Sequence, residues 1–179
     1  YMLSVAFPIT KTNKNDTAFC SKALDSIKVK FPFIKLIDIG FVLETDSSDW
    51  KAVLDVVNYK GFKCIVIFFD TATGLQYRPI PIPNSTNPTS FDYGKLGVFI
   101  STASCISHPA LYAVNNIDEP WNYGKGRYKT AWLQQIYTEL HNLAATIPFK
   151  IYMNFSRGVW NKHYQSYDGY VGQGTESSV

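Results

Sequence analysis

Phe62-Lys63-Cys64-Ile65-Val66-Ile67-Phe68-Phe69 is an apolar run interrupted only by Lys63. A strand that is hydrophobic at consecutive positions, rather than at alternate ones, belongs in a parallel sheet covered on both faces. Parallel neighbours need crossover connections, usually helices, and the sequence supplies them in both directions. Just upstream, Ser47-Ser48-Asp49 opens a helix on which Trp50, Val53, Leu54 and Val57 share a face, and Gly61 ends it. Before it, residues 34–42 read as a strand. Residues 16–29 read as a helix capped by Asp16 or Thr17, with Phe19, Ala23, Leu24 and Ile27 inward. Residues 2–8 read as a first strand.

Downstream, residues 70–92 are rich in Pro, Thr, Asn and Ser. A loop of this length has a functional role more often than a short one, here at the rim of a site. Residues 93–106 predict one helix, with Leu96, Ile100, Ala103 and Ile106 recurring, and 111–117 predict a strand. Residues 127–146 form the strongest helical pattern, placing Trp132, Leu133, Ile136, Tyr137, Leu140, Leu143 and Ala144 on one face. Pro148 stops it. Residues 149–155 predict a fifth strand. The tail, 157–179, is rich in Tyr and Gly, with 167–171 as a sixth strand or an exposed loop.

This alternation defines an α/β protein. Two architectures fit: a parallel (β/α) barrel of the TIM type, or an open doubly wound sheet. The doubly wound sheet calls for a Gly-rich turn after its first strand, and Phe7-Pro8-Ile9-Thr10-Lys11 is not one. The reading is therefore a single barrel-like domain over 1–179. A complete barrel takes about 250 residues, so the expectation is a barrel truncated or incomplete in this chain.

Composition narrows the function. Hydrophobic residues make up 46% and charged residues 17%, which excludes a disordered chain. A net charge of +3 from scattered lysines and arginines gives no basic stripe and argues against nucleic acid. No stretch of about 18 apolar residues offers a membrane span. Tyr1-Met2-Leu3-Ser4 is neither a natural start nor a signal peptide and reads as the remainder of a processed chain. Three cysteines cannot all pair with one another. Cys64 reads as core, and Cys20 and Cys105 as helix residues. No Cys/His spacing suggests a metal, and nothing calls for a cofactor. Sequons at Asn15, Asn84 and Asn154 fit an extracellular or cell-surface glycoprotein.

The chemistry-bearing residues fall where strands end, which is where a barrel carries its active site. Strand two ends near Asp38, with Glu44 just beyond, and strand three ends at Asp70. Strand four runs into Asp118-Glu119-Pro120-Trp121. Strand five ends at Asn154, Ser156 and Arg157, with Trp160 nearby. Carboxylates for proton transfer and hydroxyl recognition, beside aromatic faces for sugar C–H patches, make up a carbohydrate cleft.

His108-Pro109-Ala110-Leu111-Tyr112 leading to Ile117-Asp118-Glu119-Pro120 resembles strand four of the large superfamily of retaining glycosidases built on (β/α) barrels. There the strand ends in Asn-Glu-Pro. The match is close over 108–121 and elsewhere extends only to the order of elements. It implies that Glu119 is the general acid/base and that Asp118 stands where most members have Asn; unlike Asn, an Asp carboxylate accepts from a sugar hydroxyl but cannot donate to it. Asp70, Trp121, Asn154 and Trp160 would bind substrate. The superfamily's second carboxylate, a Glu at the end of strand seven, has no counterpart here except Glu176, a weak match.

Plainer readings stand beside these. Asp118-Glu119-Pro120 also suits a helix N-terminus, Asp70 a turn, and Trp121 and Trp160 a core. His108 reads as a loop residue, His141 as lying on the polar side of a helix, and His163 as a residue that could line a cleft. The partner expected is a carbohydrate. The second reading is a catalytically inactive barrel that binds carbohydrate or builds a surface assembly, by self-assembly or completed by a missing partner segment.

Overall fold

The computed structural model describes residues 7–9, 17–70, 72, 75–118, 128–155 and 169–172. The core of the fold is a sheet of five parallel pairings: β1 (Phe7–Ile9), β2 (Leu36–Val42), β3 (Lys63–Asp70), β7 (Leu111–Asp118), β8 (Ile151–Phe155) and β9 (Gly169–Gly172) lie side by side in that order. Strands follow one another across the sheet as they do along the chain. Among the described residues the order never reverses, so they hold no switch point of the kind that defines a doubly wound sheet.

The helices cover one face. Helix α1 (Thr17–Lys30) contacts α2 (Ser47–Tyr59), α2 contacts α4 (Ala103–Ile106), and α3 (Gly94–Ser101) contacts α5 (Thr130–Leu143). Their buried residues join Ile37, Ile39 and Phe41 of β2, Cys64, Val66 and Phe68 of β3, and Val114, Ile151 and Met153 in one cluster. Ile65 and Ala113 face the other way, packed with Leu36 and Tyr152. Both faces of β2 and β3 are buried, as the unbroken apolar run predicts.

Trp50 is the centre of the helix-side core. Its indole lies 5.4 Å from the Phe99 ring, 5.5 Å from Phe68 and 6.4 Å from Phe41, mostly edge-on, the geometry that ring quadrupoles favour. Its Nε1–H donates to Thr45 Oγ1 at 2.7 Å, and that hydroxyl donates to the Val42 carbonyl at 2.7 Å. The turn from β2 into α2 is thus tied to the core. Asp46 caps α2: its carboxylate accepts from the Ser48 and Asp49 amides, while Asp49 accepts from the Asp46 amide, a reciprocal capping box. Gly61 ends the turn after α2 at φ +80°, a conformation that a Cβ disfavours.

Several sequence-based expectations need correction. On α1 the buried residues are Cys20, Leu24 and Ile27, whereas Phe19 is 46% exposed; Cys20 takes the inward place one position on. The helix expected over 93–106 is two, because Thr102 is extended (φ −90°, ψ 101°) between α3 and α4. The strongest helix spans Thr130–Leu143, and Leu143 is exposed at its end. His141 is not on a polar face. Its ring packs 4.5 Å from Tyr137 and 4.7 Å from Phe149. The stretch 70–92 is not structureless. It holds β4 (Leu75–Gln76), antiparallel to β3, and a ribbon of β5 (Ile80–Ile82) and β6 (Ser90–Asp92).

All three cysteines are free and buried. Burial pushes the Cys20 thiol up to about 11 and raises Cys64 and Cys105 as well. Among the described residues, no helix is long and apolar enough to cross a membrane.

Candidate functional site at the strand ends

The ends of the parallel strands bring the carboxylate-bearing segments to one edge. Beyond β2 lie Glu44, Asp46 and Asp49; β3 ends at Asp70; β7 ends at Asp118. Asp118 pairs in register with Asn154 of β8, so two of the expected site positions are ladder neighbours on adjacent strands. Glu119, Trp121 and Trp160, together with Ser156, Arg157, His163 and Glu176, lie outside the described residues. Asp38 is not at this edge. It is the third residue of β2, paired with Ile65, and only 3% exposed.

The backbone of β7 is irregular where it approaches the edge. Asn115 pairs with Tyr152 but Ile117 pairs with Met153, so Asn116 is an extra residue, a bulge. Its consequence is visible in packing: Ile117 joins the helix-side cluster with Val114, although strict alternation would place it on the opposite face. Both Asn115 and Asn116 are 1% exposed. Bulges recur next to active sites, where they re-aim side chains.

A second departure lies alongside. Pairing of β7 with β3 stops at Ile67–Asn115, and β4 takes up the free edge of β3, with Phe69 opposite Gln76 and Asp70 opposite Leu75. Buried Gln76 points its amide at β7: Nε2 donates to Asn115 O at 3.0 Å and to Asn115 Oδ1 at 3.1 Å. The segment expected as a rim loop therefore adds a strand to β3 beyond the end of its pairing with β7 and fixes an amide of the bulged strand. Sequence reasoning missed this pair; the adjacent asparagines in an otherwise apolar strand were the available signal.

Asp70 itself turns the chain. Its Oδ1 accepts from the Ala72 amide at 2.8 Å, the contact of an Asx turn. Beyond, the β5–β6 ribbon is pinned to the start of α5 and its flank. The Tyr128 hydroxyl donates to the Pro79 carbonyl, Lys129 Nζ to the Thr86 carbonyl at 3.0 Å, and Glu139 Oε2 accepts from the Phe91 amide and the Tyr93 hydroxyl. Burial raises the Tyr128 phenol to about 12, so it remains a donor at physiological pH. Phe91, Tyr128 and Trp132 pack with ring centroids 6.0–6.5 Å apart, which leaves Trp132 partly buried against the core.

His108 is not at this site. It precedes β7 at the opposite edge, where Nε2 meets Asp55 Oδ1 at 3.0 Å and Nδ1 accepts from the Ala110 amide. Two of the carboxylates near the rim have structural duties too: Asp46 and Asp49 close the capping box. No group of three His, Cys, Asp or Glu side chains is arranged to hold a metal ion among the described residues.

Comparison with family models, with curated proteins and with solved structures yields no match for this chain.

Proposed function

We propose that this chain is part of a (β/α) barrel whose strand-end edge takes a carbohydrate, with Glu119 as general acid/base of glycoside hydrolysis. The observation that carries the reading is the position of Asp118: last residue of the fourth parallel strand, beside Asn154 on the fifth. Glu119 follows it in the chain, at the point where barrel enzymes keep catalytic side chains. Two features of the sheet support a barrel: sequential strand order and helices on one face.

In this reading Glu119 protonates the glycosidic oxygen and later activates water, and Asp118 and Asn154 hold sugar hydroxyls. Asp70 flanks them. Trp121 and Trp160 supply stacking faces. A retaining mechanism needs a second carboxylate about 5–5.5 Å from the first, and its source is a segment completing the barrel. An extracellular or cell-surface location, with glycan at exposed Asn84, belongs to the same proposal.

One observation favours the second reading, a barrel that binds carbohydrate or builds a surface assembly without cleaving. β4 takes the edge of β3 beyond Ile67, and its Gln76 holds Asn115, so part of the strand-end edge is occupied by the chain itself. Hydrolysis of aryl glycosides by the wild-type chain and by Glu119→Gln separates the two. Turnover abolished by the substitution supports the enzyme. Saturable saccharide binding without turnover supports the binder. Turnover indifferent to Glu119→Gln removes that residue from the chemistry.

A further inference from the structure

We propose that the opposite edge of the sheet, where the parallel strands begin, docks on an anionic lipid bilayer. The segments that form this edge are poor in acid: 26–37, 56–69, 103–117 and 140–155 hold no Asp or Glu, and the carboxylates beside them are Asp25, paired with Lys60, and Asp55, held by Lys51 and His108. They do carry lysines, at the end of α1 (Lys28, Lys30), ahead of β2 and β3 (Lys35, Lys60, Lys63) and ahead of β8 (Lys150). These cations are spread along the sequence, and only the parallel sheet gathers them, because every strand starts at the same edge.

Their contacts leave most of the charge uncompensated. Lys60 alone holds a carboxylate among the described residues, Asp25 at 2.6 Å. Lys28 Nζ donates to the Lys60 carbonyl at 3.4 Å, Lys63 Nζ to the Pro109 carbonyl, and Lys150 Nζ to the Tyr112 hydroxyl at 3.3 Å. Each of these three reaches across to a neighbouring segment through a neutral group, so the edge keeps a surplus of positive charge.

Apolar side chains stand among them in water. Val29 is 81% exposed and Phe33 67%, with Phe31 packed edge-on to Phe33 at 6.4 Å across Pro32. Tyr59, next to Lys60, is 85% exposed. A site for a soluble polyanion needs the cations but gains little from two phenylalanines and a valine. The bilayer interface takes both, anionic headgroups for lysines and the acyl boundary for the apolar tip. Docked this way, the edge carrying Asp70 and Asp118 faces away from the membrane.

The test is co-sedimentation of the chain with vesicles of phosphatidylcholine alone and of phosphatidylcholine containing roughly a quarter phosphatidylserine. Binding to the second and not the first is expected, weakening with salt. Each lysine near an anionic surface strengthens binding about fivefold, so Lys30→Glu with Lys35→Glu is expected to cost at least about tenfold. Phe33→Ser, which leaves the charge unchanged, is expected to weaken it severalfold. All three positions are exposed, and an unchanged circular dichroism spectrum confirms folding. The proposal is overturned if the serine-lipid vesicles fail to bind, if both vesicles bind alike, or if charge reversal weakens binding while Phe33→Ser does not. The last result, with competition by heparin or duplex DNA, would assign the edge to a soluble polyanion instead.

Discussion

The side-chain amide of Gln76 donates to both the backbone carbonyl and the side-chain oxygen of Asn115, at 3.0 and 3.1 Å, with both residues buried. One residue sits in a two-residue strand inside a polar connection, the other in a core strand one position before its bulge. Removing the donor in a buried setting costs about 1–3 kcal/mol. Gln76→Leu is therefore expected to lower unfolding stability by that amount in a urea titration. A loss below about 0.5 kcal/mol would show that β4 does not anchor the strand.

Trp50 makes a larger prediction. It is fully buried, contacts three phenylalanine rings and donates to Thr45. Trp50→Ala leaves a cavity and is expected to cost about 3–5 kcal/mol. Trp50→Phe keeps much of the packing but withdraws the donor from Thr45, and should cost less. Equal losses for the two variants in chemical denaturation would mean that the hydrogen bond, not the volume, dominates.

Acid stability has a local source in Asp55. Hydrogen bonds from Lys51, and next from His108, hold its carboxyl below the ordinary value. A depressed folded-state pKa contributes stability that is fully present above the unfolded value, about 3.9. That contribution is lost as pH falls through the lower folded value. Asp55 is exposed, so solvent screening keeps the effect small. Asp55→Asn should flatten the acid limb of stability between about pH 5 and 2 and leave slopes at neutral pH unaltered. An unchanged acid limb would contradict the assignment.

Thiol chemistry gives a third check on the core. The thiolate is the reactive form, and burial raises Cys20, Cys64 and Cys105 alike, Cys20 to about 11. Native protein at pH 8 should label negligibly with an aromatic disulfide reagent, and denatured protein should label at all three positions. Fast labelling of Cys64 in the native state would be incompatible with its place between β2 and β7.

Much of the fold was legible because burial writes itself into short-range pattern. The run from Phe62 to Phe69 announced a strand covered on both faces, and Trp50, Val53, Leu54 and Val57 announced the inward side of α2; Phe62, Cys64 to Phe68 and the four helix residues are buried. What the pattern could not carry was pairing. Nothing in Leu75-Gln76 marks a strand, because its partner Asp70 is reached through an Asx turn. The bulge at Asn116 exists only relative to β8. Thr102 breaks the expected long helix while its hydroxyl donates back to Val98, a bond that competes with helix propagation. The lysine edge was invisible for the same reason: residues far apart in sequence meet only when parallel strands align their starts. For the site, the pairing of Asp118 with Asn154 places two expected positions together, whereas Asp38 fell short of the edge because β2 extends four residues beyond it, to Val42.

The account turns on whether the strand-end edge beside Asp118 receives a saccharide, whichever of the two readings holds. The direct measurement is binding of the labelled chain to a glycan array, followed by titration of the best ligand against Asp118→Ala, Trp121→Ala and, as a control remote from β7, Asp25→Ala. The account predicts saturable binding of one class of glycan, weakened at least about tenfold by the first two substitutions and untouched by the third. Binding equally insensitive to all three, or no glycan retained at all, would contradict it.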